Sequence, residues 1–248
     1  MNIKDFSKRC VKEISEQGDD IDLYRSSREL HDNFSKHNYF HHFSWAGLPI
    51  IQAPQDIIQM QELIWSIQPD LIIETGVARG GSMMFYASLL ELNAACGGAK
   101  DAMVLGIDID IRKYNREIIE AHSLFKRITL IEGSSVSKEV IEQVVEVARN
   151  KEKVMVCLDS NHTHDHVLAE LNAYAPLTTI DSYCVVFDTL IEEYPEENYL
   201  DRPWGPGNSP KTAVLEYLKL HSEFLINHDI DNKLVISAAP EGFLRRVK

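Results

Sequence analysis

Between residues 71 and 188 the chain repeats one unit: a short continuous apolar run, a polar residue at its C-terminal end, then a stretch of helical spacing. The runs are Leu71 to Glu74, Met103 to Asp108, Ile128 to Glu132, Val154 to Asp159 and Ser182 to Asp188. Helices fit between them at Ser82 to Asn93, Arg112 to Ser123, Ser137 to Arg149 and Asp165 to Tyr174. Strands that are apolar on both sides must be covered on both faces, and alternation with helices supplies the cover. The expected architecture is therefore a doubly wound, Rossmann-like α/β fold with a mostly parallel sheet. In such sheets ligands sit outside the carboxyl ends of the strands, where Glu74, Asp108, Glu132-Gly133, Asp159 and Asp188 all fall.

The flanking segments are read more coarsely. Residues 1 to 53 are polar, with Tyr, Phe and His scattered among charges, and are expected to form a helical segment ahead of a principal domain at 54 to 248. A helix is predicted from Gln55 to Ile67, stopped by Pro69. Ile191 to Pro210 is rich in Pro, Gly, Glu and Tyr and reads as a long loop over the strand ends; loops of that length in a compact domain are usually lids or binding loops. After a helix at Lys211 to Leu220, Lys233 to Ser237 and Gly242 to Val247 are expected to pair as an antiparallel C-terminal edge of the sheet.

A net charge of −13 opposes a phosphate-tracking nucleic-acid surface and a polybasic membrane patch, which leaves a small molecule as the expected partner. The cysteines at 10, 96, 157 and 184 show no paired spacing and suit a reducing cytoplasm. No apolar run approaches the roughly 18 residues of a membrane span, and a soluble protein is expected. The N-terminal helices are expected to present solvated polar faces, with a homo-oligomer interface or a cover over the ligand pocket as the alternatives.

The turn Glu74-Thr-Gly76-Val-Ala-Arg-Gly80-Gly81-Ser82 joins the first run to its helix. Residues without Cβ atoms let backbone N–H groups approach a ligand, and the helix N-terminus behind them favours a carboxylate. Glu74 would repel a phosphate and suits an ammonium group. A ligand with both groups, the methionine end of S-adenosylmethionine, fits better than a dinucleotide, and the spacing departs from G-x-G-x-x-G. Asp108 can accept hydrogen bonds from a ribose diol, although a helix cap explains it equally well when taken alone. Gly133-Ser134-Ser135 can pass beside an adenine ring; a serine cap for the next helix explains it nearly as well.

The densest polar cluster is Asp159-Ser-Asn161-His162-Thr-His164-Asp165-His166. Asp159 and Asp188 end adjacent runs, so two carboxylates should converge on one cleft and suit Mg²⁺ or a similar hard cation. His162 lies near enough to Asp159 to act as general base. Three alternating histidines also raise zinc, but they cross a strand-to-helix junction without a thiolate.

Together these segments resemble the cephalosporin hydroxylase / rhamnosyl O-methyltransferase family, which is similar to the metal-dependent macrolide-sugar O-methyltransferases. The resemblance runs from about Trp45 to Arg246 and rests on Trp45-x-Gly47-x-Pro49, Glu74-Thr-Gly76, Gly80-Gly-Ser82, Asp108-Ile-Asp110, Gly133-Ser-Ser135, Leu158-Asp159-Ser, His166-Val-Leu-x-Glu-Leu171, Asp188-Thr189 and Gly205-Pro-Gly207. It implies an O-methyltransferase that binds S-adenosylmethionine through Glu74, Gly76, Gly80, Ser82, Asp108 and Gly133 to Ser135, and acts on a sugar or glycosylated natural product. It also implies a divalent cation at Asp159 and Asp188, with His162 as base and Asp159 orienting the acceptor. Phe187 stands where the family has an acidic residue before Asp188, so one carboxylate ligand is expected to be missing, and Asn161 stands where the family often has Asp. A non-haem iron oxygenase and a non-catalytic S-adenosylmethionine-binding protein are the competing expectations.

Overall fold

The computed structural model describes residues 2–248. In chain order the elements are α1 (Ile3–Gly18), α2 (Ile21–Ser35), β1 (Phe43–Trp45), β2 (Leu48–Ile50), α3 (Pro54–Ile67), β3 (Leu71–Thr75), α4 (Gly81–Ala95), β4 (Met103–Asp108), α5 (Lys113–Ala121) and β5 (Ile128–Glu132). They continue with α6 (Lys138–Ala148), β6 (Val154–Leu158), α7 (His164–Tyr174), β7 (Tyr183–Val186), α8 (Pro210–Tyr217), β8 (Phe224–Ile226), α9 (His228–Leu234) and β9 (Phe243–Arg246). Each apolar run of the sequence became a strand, within two residues at either end.

Among the described residues, seven strands form one sheet in the order β5-β4-β3-β6-β7-β9-β8. Pairs from β5 across to β7 are parallel, whereas β9 runs antiparallel to both β7 and β8. The antiparallel edge is thus present, but with a different partner. Phe224–Ile226 pairs with β9, while Lys233 lies in α9 and Val235 takes a left-handed φ of 59° at that helix's end. The apolar Leu234-Val235-Ile236 has strand composition, yet the backbone there closes a short helix, so tertiary context overrode propensity.

Alternate strand residues face opposite layers, the period of two expected of a pleated sheet. Ile72, Met155, Cys157, Val185 and Phe243 pack against α3 and α4. Leu71, Ile73, Val154, Val156, Cys184 and Val186 pack against α6, α7 and α8. α4 is apolar nearly all round, which fits its burial: Met83, Met84, Phe85, Tyr86 and Leu90 are all fully enclosed.

The chain order reverses between β3 and β6: successive strands run outward through β4 and β5 on one side, and through β7 on the other. Such a switch point opens a crevice beyond the strand ends. The main-chain N–H of Asp159 donates to the Thr75 carbonyl across it, at 3.0 Å, so the glycine turn and the Asp159 loop leave the sheet side by side.

α1 packs through its C-terminal end, with Gln17 Nε2 donating to the Asn232 carbonyl at 2.6 Å, and buries none of its residues fully. Among the described residues no helix is long and apolar enough to cross a membrane.

Candidate active site

A cavity of about 570 Å³ occupies the switch point. Its floor is the glycine turn and the carboxyl ends of β6 and β7, and its outer walls come from the end of α2 and the 191–204 loop. Gly76 has φ 92°, and a Cβ there would fall inside the Asp159 carbonyl. A Cβ on Gly81 would likewise strike the backbone of Pro49 and Ile50. These two positions need glycine because the turn is clamped between β2 and the Asp159 loop.

Glu74 lies beneath the turn and is fully buried. Its Oε2 accepts the Ser82 hydroxyl at 2.6 Å, and its Oε1 has no partner. Burial lifts this carboxyl to about 8. A nearby cation would relieve the unpartnered oxygen, so the site suits an ammonium group. Asp108, ending β4, accepts from the main-chain N–H groups of Val77 at 2.9 Å and Ala78 at 3.1 Å, and from that of Asp110 at 3.1 Å. It therefore fixes the glycine turn while one of its four acceptor directions stays free. Gly133 N–H donates to the Asp108 carbonyl at 2.8 Å, which sets the β5 loop beside the same turn. The cap of α6 is Ser137, not Ser134 or Ser135. Of the expected donor residues Gly76 and Ser82 line the cavity, whereas Glu74, Gly80, Asp108 and Gly133 to Ser135 do not; Glu74 and Asp108 are joined to the turn, and Gly133 to Asp108, by the hydrogen bonds above.

Across the cavity Asp159, His162 and Asp188 converge, each offering a ligand atom within 4.8 Å of the others. His162 Nε2 lies 3.3 Å from Asp188 Oδ2, and its ring stands edge-on to Trp204 with centroids 4.8 Å apart. Asp188 holds a left-handed φ of 57°, a conformation that Asp tolerates better than most residues and that turns its side chain back toward the cavity. Burial, with repulsion from Asp188 added, pushes the Asp159 carboxyl well above the usual carboxylate range.

The sequence match fits this geometry. Residues 37–247 match the rhamnosyl O-methyltransferase/CmcI family. The chain belongs to that family. A rhamnosyl O-methyltransferase of Mycobacterium tuberculosis is 28% identical over 232 residues, covering 90% of this chain and 88% of its own. One from Mycobacterium leprae is 28% identical over 233 residues, covering 90% and 93%. Among solved structures, CmcI with magnesium and S-adenosylmethionine superposes with a TM-score of 0.57 at 21% identity, covering 84% of this chain and 78% of its own. A Bacillus cereus O-methyltransferase in complex with S-adenosylhomocysteine gives 0.50 at 13% identity, covering 92% of both chains. Membership bears out the expected methyltransferase class, and the solved structures bear out its Rossmann-like fold.

Within this family member the three alternating histidines diverge. His164 turns to α8, with Nδ1 at 2.8 Å from Thr212 Oγ1 and Nε2 at 3.4 Å from Glu216. His166 turns to Ser135, Ser160 and Glu170. Among the described residues no two histidines share a carboxylate, so the alternating histidines do not gather into a zinc site and no two-histidine, one-carboxylate face is formed. Asn161 is a local device: its Oδ1 accepts the Thr163 N–H and hydroxyl at 2.9 and 2.7 Å and shapes the entry to α7. Phe187 is buried against the α4 layer and also forms part of the cavity wall.

Phe34, Tyr39, Phe40, Tyr199, Arg202 and Trp204 also line the cavity, none of them expected from the sequence. The run Pro203-Trp204-Gly205-Pro206 was a signal for the loop, and the aromatics after Phe34 for its partner wall; neither pattern fixes which ring faces inward.

Proposed function

We propose that the protein transfers the methyl group of S-adenosylmethionine to a hydroxyl of a saccharide or glycosylated small molecule. The observation that carries this is the Asp159, His162 and Asp188 cluster facing the glycine turn across one cavity. Glu74, Gly76, Gly80, Ser82, Asp108 and Gly133 to Ser135 form the donor side. The names of the mycobacterial relatives support a sugar acceptor, and the aromatic wall supports it chemically, since the apolar faces of pyranose rings stack on such side chains.

With His162 Nε2–H directed at Asp188, Nδ1 carries the lone pair and takes the acceptor proton. The acceptor oxygen forms the bond to the methyl carbon, the carbon–sulfur bond breaks and S-adenosylhomocysteine leaves with its sulfur neutral. Asp188 stabilises the imidazolium that results. Asp159 orients the acceptor hydroxyls, and the cavity holds donor and acceptor in line.

Asp159 and Asp188 also fit a divalent cation, because the two carboxylates and a His162 ring nitrogen bring three ligand atoms within 4.8 Å of one another. Magnesium in the CmcI complex is consistent with that. A bound cation would lower the acceptor hydroxyl's pKa; Phe187 leaves it one carboxylate fewer, so water or acceptor oxygens must complete its shell.

Residues 1–53 are the N-terminal segment, whose part from Phe34 onward walls the acceptor side, and 54–248 are the methyltransferase domain. The acidic surface suits a cytoplasmic enzyme without a nucleic-acid partner, and exposed Ile3 and Phe6 on α1 suit self-association.

Methyl transfer to free and glycosidic rhamnose by wild type and His162→Ala tests the proposal. A loss on the order of a hundred-fold or more in kcat with S-adenosylhomocysteine binding retained is expected; unchanged turnover would remove His162 from the base role.

A further inference from the structure

α7 carries a second polar constellation behind the cavity wall, which reaches the cavity only through Ser160. His166, Glu170 and Tyr174 lie on one helix face at four-residue spacing. Glu170 is fully buried. Its Oε1 accepts the Ser160 hydroxyl at 2.6 Å and lies 3.4 Å from His166 Nε2, while its Oε2 has no partner. The same His166 nitrogen lies 3.1 Å from Ser135 Oγ and 3.3 Å from Ser160 Oγ. Tyr174 donates its hydroxyl to the Ser135 carbonyl.

These contacts do not make a nucleophile and its relay. In a Ser-His-acid triad the acid grips one ring nitrogen and the serine the other, whereas here both serines and the acid crowd onto Nε2. Ser135 is also buried and absent from the cavity wall. What the constellation joins is two loops. Ser135 belongs to the loop after β5 that flanks the donor turn, and Ser160 follows Asp159 at the end of β6. Each hydroxyl is a short tether, and His166 is the group both share.

We propose that His166 is a positioning residue that clamps the Gly133–Ser135 loop to the Asp159–Ser160 loop, so that donor affinity depends on an imidazole nitrogen that touches neither donor nor acceptor. The proposal rests on the donor reading above. Its physical basis is that a loop held by hydrogen bonds at Ser135 Oγ and O presents a formed wall to the nucleoside. A freed loop must be ordered on binding instead.

The two amide substitutions at 166 separate positioning from bulk. The amide nitrogen of Gln reaches the place of Nε2, while that of Asn stops near Nδ1. S-adenosylhomocysteine affinity of the full chain is measured by calorimetry, with the melting temperature as a control. His166→Asn and Ser135→Ala are each expected to weaken binding roughly five- to ten-fold, the loss of one hydrogen bond. His166→Gln should restore it to within about three-fold. Ser135→Ala placed in the His166→Asn background should add less than about two-fold, because the tether is already cut.

Wild-type affinity in folded His166→Asn, or full additivity in the double variant, overturns the clamp and leaves His166 a packing residue. Should His166→Asn fail to fold, His166→Leu takes its place in the single and double variants; unchanged affinity in Ser135→Ala overturns the clamp, and weakened affinity there supports it only together with the non-additive double variant. If wild type itself binds no S-adenosylhomocysteine, the donor reading falls and the clamp with it.

Discussion

Glu74 concentrates the electrostatics of the donor side in one residue. Its folded carboxyl sits near 8 against an ordinary value of 4.5, because burial disfavours the anion. Asp56 in the first turn of α3 behaves similarly, lifted by burial to about 7, with Oδ2 accepting the Ala238 N–H at 2.8 Å. For a carboxyl raised in the folded state, the contribution to stability is fully present below the unfolded pKa and is lost as pH rises through the folded one. The ligand-free protein is therefore expected to lose stability between pH 5 and 8, with a slope of about 1.4 kcal/mol per pH unit for each such group. Thermal melts across that window check this, and Glu74→Gln should flatten the upper part of the curve; a melting temperature that rises toward pH 8 would contradict it. An ammonium placed beside Glu74 would reverse its shift, so S-adenosylmethionine should stabilise the protein more at pH 8 than at pH 6.

At the scale of elements, the walls of the cavity are held by ion pairs in half-buried positions. Arg28 of α2 donates to Glu193 at 2.6 Å and, through its other nitrogen, to the Val235 carbonyl at 2.7 Å. Lys211 at the start of α8 reaches the same Glu193 at 2.9 Å. Both side chains of the Arg28 pair are more than four-fifths covered, so the pair is worth more than a surface bridge. Arg28→Ala is expected to release α2, speeding hydrogen exchange of its amides roughly ten-fold while S-adenosylhomocysteine affinity stays within about two-fold. Unchanged exchange in α2 would show that aromatic packing alone holds the wall. The strands and helices of the sheet were legible in the sequence because burial on two faces leaves an unbroken apolar signature, as in Leu71-Ile72-Ile73. The hairpin partner was not. Leu234-Val235-Ile236 and Phe224-Leu225-Ile226 have equal strand character, and the choice between them is made by long-range packing of α9 on α1 and α3.

Over the whole molecule, the switch point between β3 and β6 brings donor and acceptor chemistry together from residues far apart in sequence. Gly76 and Asp159 meet because the glycine turn can approach the Asp159 backbone with no side chain between, and Asp188 joins them from the next strand. Strand-end carboxylates and the glycine turn were legible since a parallel sheet sends every such end to one side. The segments that wall the acceptor side were legible as well, but not which of their side chains face inward, because Phe34, Tyr199 and Trp204 reach the cavity from stretches whose course no periodicity sets. His162 was separable from His166 in the sequence by its distance from Asp159, whereas the contact of His166 with Ser135, from the loop after another strand, is set only in three dimensions. The most direct measurement of the account is a crystal structure with S-adenosylhomocysteine bound. The account predicts the homocysteine amino group beside Glu74 and Ser82, the ribose near Asp108, and the sulfur pointing across the cavity at Asp159, His162 and Asp188. A ligand bound with its sulfur turned away from that cluster, or seated outside the switch-point cavity, would contradict it.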